Sequence, residues 1–257
     1  MIVELLAMAI TIEIPEECPS SIFDHVSTGI PAVQTHGALE YLAPLTEEIE
    51  SLHFEGEVPE NSWEFFLWKE RSAENSRVAC LFRLVAQEQY LRLWARAAQT
   101  PNTEASASQS QLIAAGHILS SIDQRNRDWL ASEFGQNGWF TISEYGEDAD
   151  IAAFLIVQHA DRDVQFQRDM LEHLEPLAQS GDTNSGGYAM LIDRVAVNTG
   201  ELQVYGSQGY CSGPSVWQAR PYEGTLDEMN QRRRSVGLSD HQDYVAHISR
   251  NCSSREN

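Results

Sequence analysis

Ile151–Gln167, IAAFLIVQHADRDVQFQ, is the stretch on which the reading of this chain turns. Its first seven residues are an unbroken apolar run with no polar face, the pattern of a segment buried on all sides. Directly after it, Gln158–Gln167 crowds a histidine, two aspartates and three glutamines into ten residues. Such groups beside a core segment cost roughly 1–3 kcal/mol each when left unpaired, and more when charged. They must be satisfied by one another, by a ligand or by a metal, so this junction is the candidate site.

Working outward, the apolar run and His159 predict a central helix over Asp148–His159. Asp161 or Asp163 is placed to cap a following amphipathic helix that ends near Ala178, with Phe166, Met170, Leu171 and Leu174 inward. Upstream, a helix from Gln111 to Phe134 turns Ile113, Ile118, Ile122, Leu130 and Phe134 inward. Asp123 and Asn126 lie near that face, while Arg125 and Asp128 point away. A polar linker (99–110) separates it from a helix over Arg77–Ala98. That helix carries an apolar stripe of Leu81, Leu84, Val85, Leu91 and Trp94, with Glu88, Gln89 and Arg92 on or beside it. Downstream, a short helix covers Gly187–Asp193. RVAV and ELQVYG then flank Asn198-Thr199-Gly200, which reads as a β-hairpin near 193–206, with Gln203 and Tyr205 on one face of its second strand.

The rest follows with less pattern. A loop with Trp217 and Pro221 leads to short helices carrying Arg232–Arg234, and 246–257 reads as a flexible tail. Residues 1–76, rich in prolines and acids, read as an irregular N-terminal segment packed on the main domain, with the aromatic run Trp63–Trp68 as its anchor. Within it Ile10, Ile12 and Ile14 alternate as in a strand. That reading is preferred to a signal peptide cleaved near Ala7-Met8-Ala9, because no basic residue precedes the apolar stretch and Glu4 interrupts it. The expected fold is therefore mainly α: a helical, bundle-like domain over 77–245 with a small antiparallel hairpin and an irregular N-terminal extension.

Bulk composition narrows the function classes. A hydrophobic content of 42% places the chain among globular proteins rather than disordered ones. Its 38 acidic and 17 basic residues leave a net charge of −21, a surface that repels phosphate backbones. Nucleic acid is therefore excluded as a partner, and no stretch reaches the roughly twenty apolar residues of a membrane helix. Cys18, Cys80, Cys211 and Cys252 are scattered, with no paired spacing, so free thiols are favoured over disulfides. The cytoplasm is slightly favoured over a periplasmic or secreted location. Oligomeric state is left open.

Taken in order, these pieces resemble an uncharacterised bacterial domain family. The resemblance rests on Gln89 and Arg92, on Asp123 and Asn126, on Gly138-Trp139, and on Gln158, His159, Ala160, Asp161, Asp163, Phe166 and Gln167. It continues through Asp193-Arg194, the Gln203, Tyr205, Gly206, Ser207 and Gln208 segment, and Arg232-Arg233, Val236-Gly237-Leu238 and Tyr244. Phe140 stands where that pattern has proline, and Glu88 where it has aspartate. The resemblance covers about residues 77–245 and implies a domain without an assigned activity.

Two function classes remain open. In the first, an enzyme or small-ligand site centres on His159, which titrates near neutrality and can act as general acid or base when a carboxylate orients it. Asp161, Asp163 and Asp193 are the orienting candidates, and Tyr205 is a proton donor. Arg194 and Arg233, with Arg92, would hold an anionic group. Gln89, Asn126, Gln203 and Gln208 would bind substrate. A hydrolase or transferase on a small polar or peptide substrate fits this set, and a divalent metal held by His159 and the carboxylates is its variant. In the second class the polar motif is structural, and the chain is an acidic binding, adaptor or immunity-type module. Convergence of these side chains on one pocket separates the two.

Overall fold

The computed structural model describes residues 18–19, 60, 62–98 and 109–252. The strand over Ile10–Ile14, the signal-like Ala7–Ala9, most of the 99–110 linker, the Trp94 side chain and the last five residues lie outside the described residues. Those described are mainly helical, with a two-stranded antiparallel hairpin, as expected. The chain divides into two units, residues 1–132 and 133–257.

In the first unit, α1 (Trp63–Ser72) packs on α2 (Ser76–Ala98), and α3 (Gln109–Asn137) begins. α1 falls where an irregular segment was expected. Ser62 accepts the Phe65 amide at 3.1 Å as N-cap, and Phe65, Phe66 and Leu67 are buried. Six nearly uniform apolar residues hide the helical period, which only the buried subset reveals. Phe66 stacks on Phe82, Trp63 meets Tyr90 edge to face, and Glu70 pairs with Arg83 at 2.8 Å. The expected stripe of Leu81, Leu84, Val85 and Leu91 is buried.

On α3 the phase differs from expectation. Ile113 is 56% exposed, and Arg125 is buried. The buried set Ala115, Ile118, Ile122, Asn126 and Trp129 is one helical stripe, and Ile113 lies on the opposite face. Arg125 lies at the edge of that stripe with its guanidinium on Asn126 Oδ1 at 3.1 Å, and burial lowers its pKa to about 10.

All four cysteines are paired, Cys18 with Cys80 and Cys211 with Cys252, which corrects the expectation of free thiols. Partners 62 and 41 residues apart leave no local spacing to read, since only the fold brings them together.

The second unit is built around α5 (Glu147–His159), preceded by the single turn α4 (Ile142–Tyr145). Ala149, Ala152, Ala153, Phe154, Ile156 and Val157 are buried, as the all-round apolar pattern predicts. α6 (Val164–Ser180) is capped by Asp163, which accepts the Phe166 amide at 3.0 Å. α7 (Ser185–Thr199) follows, packed on α5 and α6.

α7 overturns the hairpin expected near 193–206. Buried Ala189, Asp193 and Ala196, with Leu191 and Val195, carry a helical period straight through RVAV. Gly200 does have positive φ (78°), but as the helix C-cap, donating to Ala196 and Val197 carbonyls. A left-handed glycine ends helices as readily as it turns hairpins, so it could not separate the two.

The true hairpin lies further on, β1 (Gly209–Gly213) with β2 (Val216–Ala219). Gly209 is required there, since a methyl would overlap the Gln218 carbonyl and the Trp217 ring. α8 (Leu226–Ser235), with a Thr225–Glu228 capping box, and α9 (His241–Ser249) close the unit. Trp217 packs edge to face on Tyr244, and the Cys211–Cys252 bond ties the hairpin to the residue expected to fray in the tail.

Replacing both Cys211 and Cys252 by serine is expected to lower the unfolding free energy by about 2–4 kcal/mol, read by urea denaturation. His241 supplies a pH test. Burial, and then the Arg233 guanidinium, lower its pKa from the ordinary 6.5. Below pH 6.5 the unfolded chain therefore binds more protons than the folded one. His241's contribution is complete above that pH and is lost as pH falls towards the folded value. His241→Gln should flatten the decline in stability between about pH 7 and pH 5; an unchanged slope would refute this.

Candidate functional site

Glu147, Ile151, Phe154, Leu155 and Gln158 recur at helical spacing and so share one face of α5. That face lines a cavity of about 640 Å³, whose other walls include Gly181, Thr183–Gly187 and Met190, and Val236-Gly237-Leu238. The volume falls within the range of small-molecule sites, roughly 300–1,000 Å³.

Buried Asp150 sets the geometry. Its Oδ1 accepts from Trp139 Nε1 at 2.7 Å and Thr183 Oγ1 at 2.5 Å, and its Oδ2 accepts the Asn184 amide at 2.9 Å. The loop leading into α7 is thereby pinned to α5. Burial raises the Asp150 pKa, against the pull of these three donors.

Asn184 caps α7 by accepting the Gly187 amide at 2.7 Å. Gly186 then permits close approach, while a side chain at Gly187 would make only ordinary contacts. A methyl on Gly186 would stand 3.1 Å from Leu238 Cδ2, and one on Gly187 3.5 Å from the Phe154 ring. The two glycines form part of one wall of the cavity.

The polar groups on the lining divide into spent and unspent. Thr183 donates to Asp150, and Ser185 to the Ala178 carbonyl at 2.9 Å. The Glu147 carboxylate, the Gln158 carboxamide and the Asn184 NH2 group have no hydrogen bond or ion pair among the described residues.

The residues singled out from sequence fall elsewhere, with Gln158 alone of its motif on the cavity lining. Gln89, Arg92 and Asn126 belong to the first unit. There Arg92 bridges Glu88 and Asp123, each at 2.6 Å. Burial works against the Arg92 charge, but the two carboxylates outweigh it and raise the pKa. Asn126 donates to the Leu84 carbonyl at 3.4 Å.

In the second unit His159 is the half-buried last residue of α5. The Asp161 carboxylate accepts from Nε and one terminal NH2 of Arg194, at 2.6 and 2.7 Å. Partial burial pushes the Asp161 carboxyl up, but Arg194 and the Gln167 and Asn198 amides hold it below its usual value. Gln167 closes the end of α5 by donating to the Val157 and Gln158 carbonyls.

Asp193 is fully buried and accepts three backbone amides, of Val204, Tyr205 and Ser207, at 2.7–2.9 Å. Gln203 donates to the Gln208 and Arg220 carbonyls and accepts the Gln208 amide, while the Gln208 side chain reaches Ser207 Oγ. Arg233 donates to the Tyr205 and Ser239 carbonyls. Arg232 donates to the carbonyls of Val204 and Glu223. Burial, then the Asp193 charge, raise the Tyr205 phenol. Among the described residues no three His, Cys, Asp or Glu side chains gather as a metal site requires.

Sequence reasoning missed Glu147, Phe154, Leu155, Asn184 and Met190 as lining residues. The three- and four-residue spacing along one α5 face was a usable signal for the first three. Nothing local marked the other two.

The chain belongs to DUF6624, a family of unknown function whose model matches residues 88–252. No curated protein and no solved structure matches it. No described helix is long and apolar enough to cross a membrane.

Two carboxylates can be ranked by these partners. Asp193→Asn would turn an amide donor towards backbone N–H donors and should cost about 1–3 kcal/mol. Asp161→Asn breaks a half-exposed pair and should cost no more than about 1 kcal/mol. Urea denaturation of both variants reads the difference, and the reverse order would refute it.

Proposed function

We propose that this member of a family of unknown function binds a small, largely apolar ligand in the cavity between α5, the start of α7 and residues 236–238. The observation that carries this reading is the division of polar groups. The motif's carboxylates, arginines and other glutamines hold the framework, whereas Glu147, Gln158 and the Asn184 NH2 line a 640 Å³ space with their hydrogen bonds unspent. Apolar walls with a few convergent polar groups are the usual make-up of a ligand site.

Binding is better supported than hydrolysis or group transfer. Glu147 is the one titratable side chain on the lining, and the two hydroxyls there donate elsewhere. The His159-centred enzyme is the weaker reading, because Asp161, Asp163 and Asp193 are engaged with Arg194 and with backbone amides. Two disulfides support residence in an oxidising compartment over the cytoplasm.

Nile red, a neutral dye that brightens in apolar surroundings, tests the site. Its emission should rise with the wild-type protein and saturate. Met190→Trp, which fills the cavity from α7, should abolish the rise while leaving the circular dichroism spectrum unchanged, and Ile151→Trp does the same from α5. No saturable signal with wild type, or an equal one in both folded variants, would overturn the proposal.

A further inference from the structure

Resting on that cavity, we propose that its ligand is an elongated cationic amphiphile, with an ammonium group at one end, a hydrocarbon middle and an amide or carbonyl at the other. Glu147 and Gln158 stand eleven residues apart on the same face of α5. At the helical rise their Cα atoms are about 16 Å apart. The two unspent groups of that face therefore mark opposite ends of a long site. Between them the face presents Ile151, Phe154 and Leu155, opposed by Met190, Val236 and Leu238 from the other walls.

The ends differ in chemistry. Glu147 is exposed and offers only acceptors, so it selects a donor or a positive charge. Gln158 is half-buried and offers both a donor and an acceptor, so it complements a neutral amide or a carbonyl. No lysine, arginine or histidine lines the cavity, and the chain carries a net charge of −21. A carboxylate or phosphate head would meet Glu147 with nothing to neutralise it, in a field already hostile to anions. The third unspent group, the Asn184 NH2, is exposed as Glu147 is, and supplies a neutral donor that can hydrogen-bond an anion without offsetting its charge. The apolar middle also disfavours an extended peptide, whose amides would find no side-chain partners there.

The test uses three probes that share one hydrocarbon chain and one amide end, measured by isothermal titration calorimetry. They are the ω-amino amide of decanoic acid, its N-acetyl derivative, and the compound with a carboxylate in place of the ammonium group. The ammonium probe should bind the wild-type protein about two- to fivefold more tightly than the acetylated one, the range of an exposed ion pair. The carboxylate should bind most weakly. Glu147→Gln should bring the ammonium and acetylated probes to equal affinity, and Gln158→Ala should weaken both alike.

A carboxylate or acetylated probe that binds as tightly as the ammonium one would overturn the ligand class. So would a preference that survives Glu147→Gln. If Nile red still binds and Met190→Trp still excludes it, the class alone has failed and the cavity reading stands. If Nile red does not bind either, the cavity reading itself has failed.

Discussion

The carboxylate of Asp193, buried on α7 and gripping the amides of Val204, Tyr205 and Ser207, is the interaction on which the C-terminal half of the second unit depends. Those amides belong to a loop with no ladder of its own, and burying them unpaired would cost roughly 1–3 kcal/mol each. With the loop so held, its carbonyls at Val204 and Tyr205 become fixed targets for Arg232 and Arg233 of α8. Ser207's carbonyl likewise receives the Tyr244 hydroxyl of α9. One carboxylate thus orders a loop, and the loop orders the last two helices. The same loop leads into β1, where Gly209 and Trp217 seat the hairpin.

The arrangement explains why so many polar residues sit beside apolar stripes without forming a catalytic cluster. A helical unit whose connections are loops must satisfy many backbone groups that no sheet will pair. Asp150, Asp163, Gln167, Asp193, Gln203 and Arg233 each do this at one of the joints between elements. Polar density in the sequence therefore measures how much loop must be buried as well as how much chemistry a site performs. What distinguishes Glu147 and Gln158 is that they face the cavity with no such backbone duty.

The acidic surface and the disulfides bear on the setting rather than the fold. A charge of −21 favours solubility and cationic solutes and opposes nucleic acid. The cystines constrain the unfolded chain across loops of 62 and 41 residues, the second holding the hairpin to the end of the described chain.

Much of the helical frame was legible in the sequence by itself. The apolar run Ile151–Val157, the stripe from Leu81 to Leu91 and the capping role of Asp163 are local properties of period and propensity, and they lie where those properties place them. Mainly helical class follows from the same kind of reading, and a hairpin is present as expected, though not in the segments read as one. The hairpin's position did not follow, because RVAV is β-favouring taken alone and helical only when α7's buried face runs through it. Nor did the cystines, since pairing depends on a distance in space that spacing does not encode. The cavity was decided by tertiary structure as well. Gln158 and the Val236–Leu238 segment stood out in the sequence, yet only packing shows them sharing one space with Met190. Which polar groups are spent and which remain free depends on partners tens of residues away, and no local pattern carries that information.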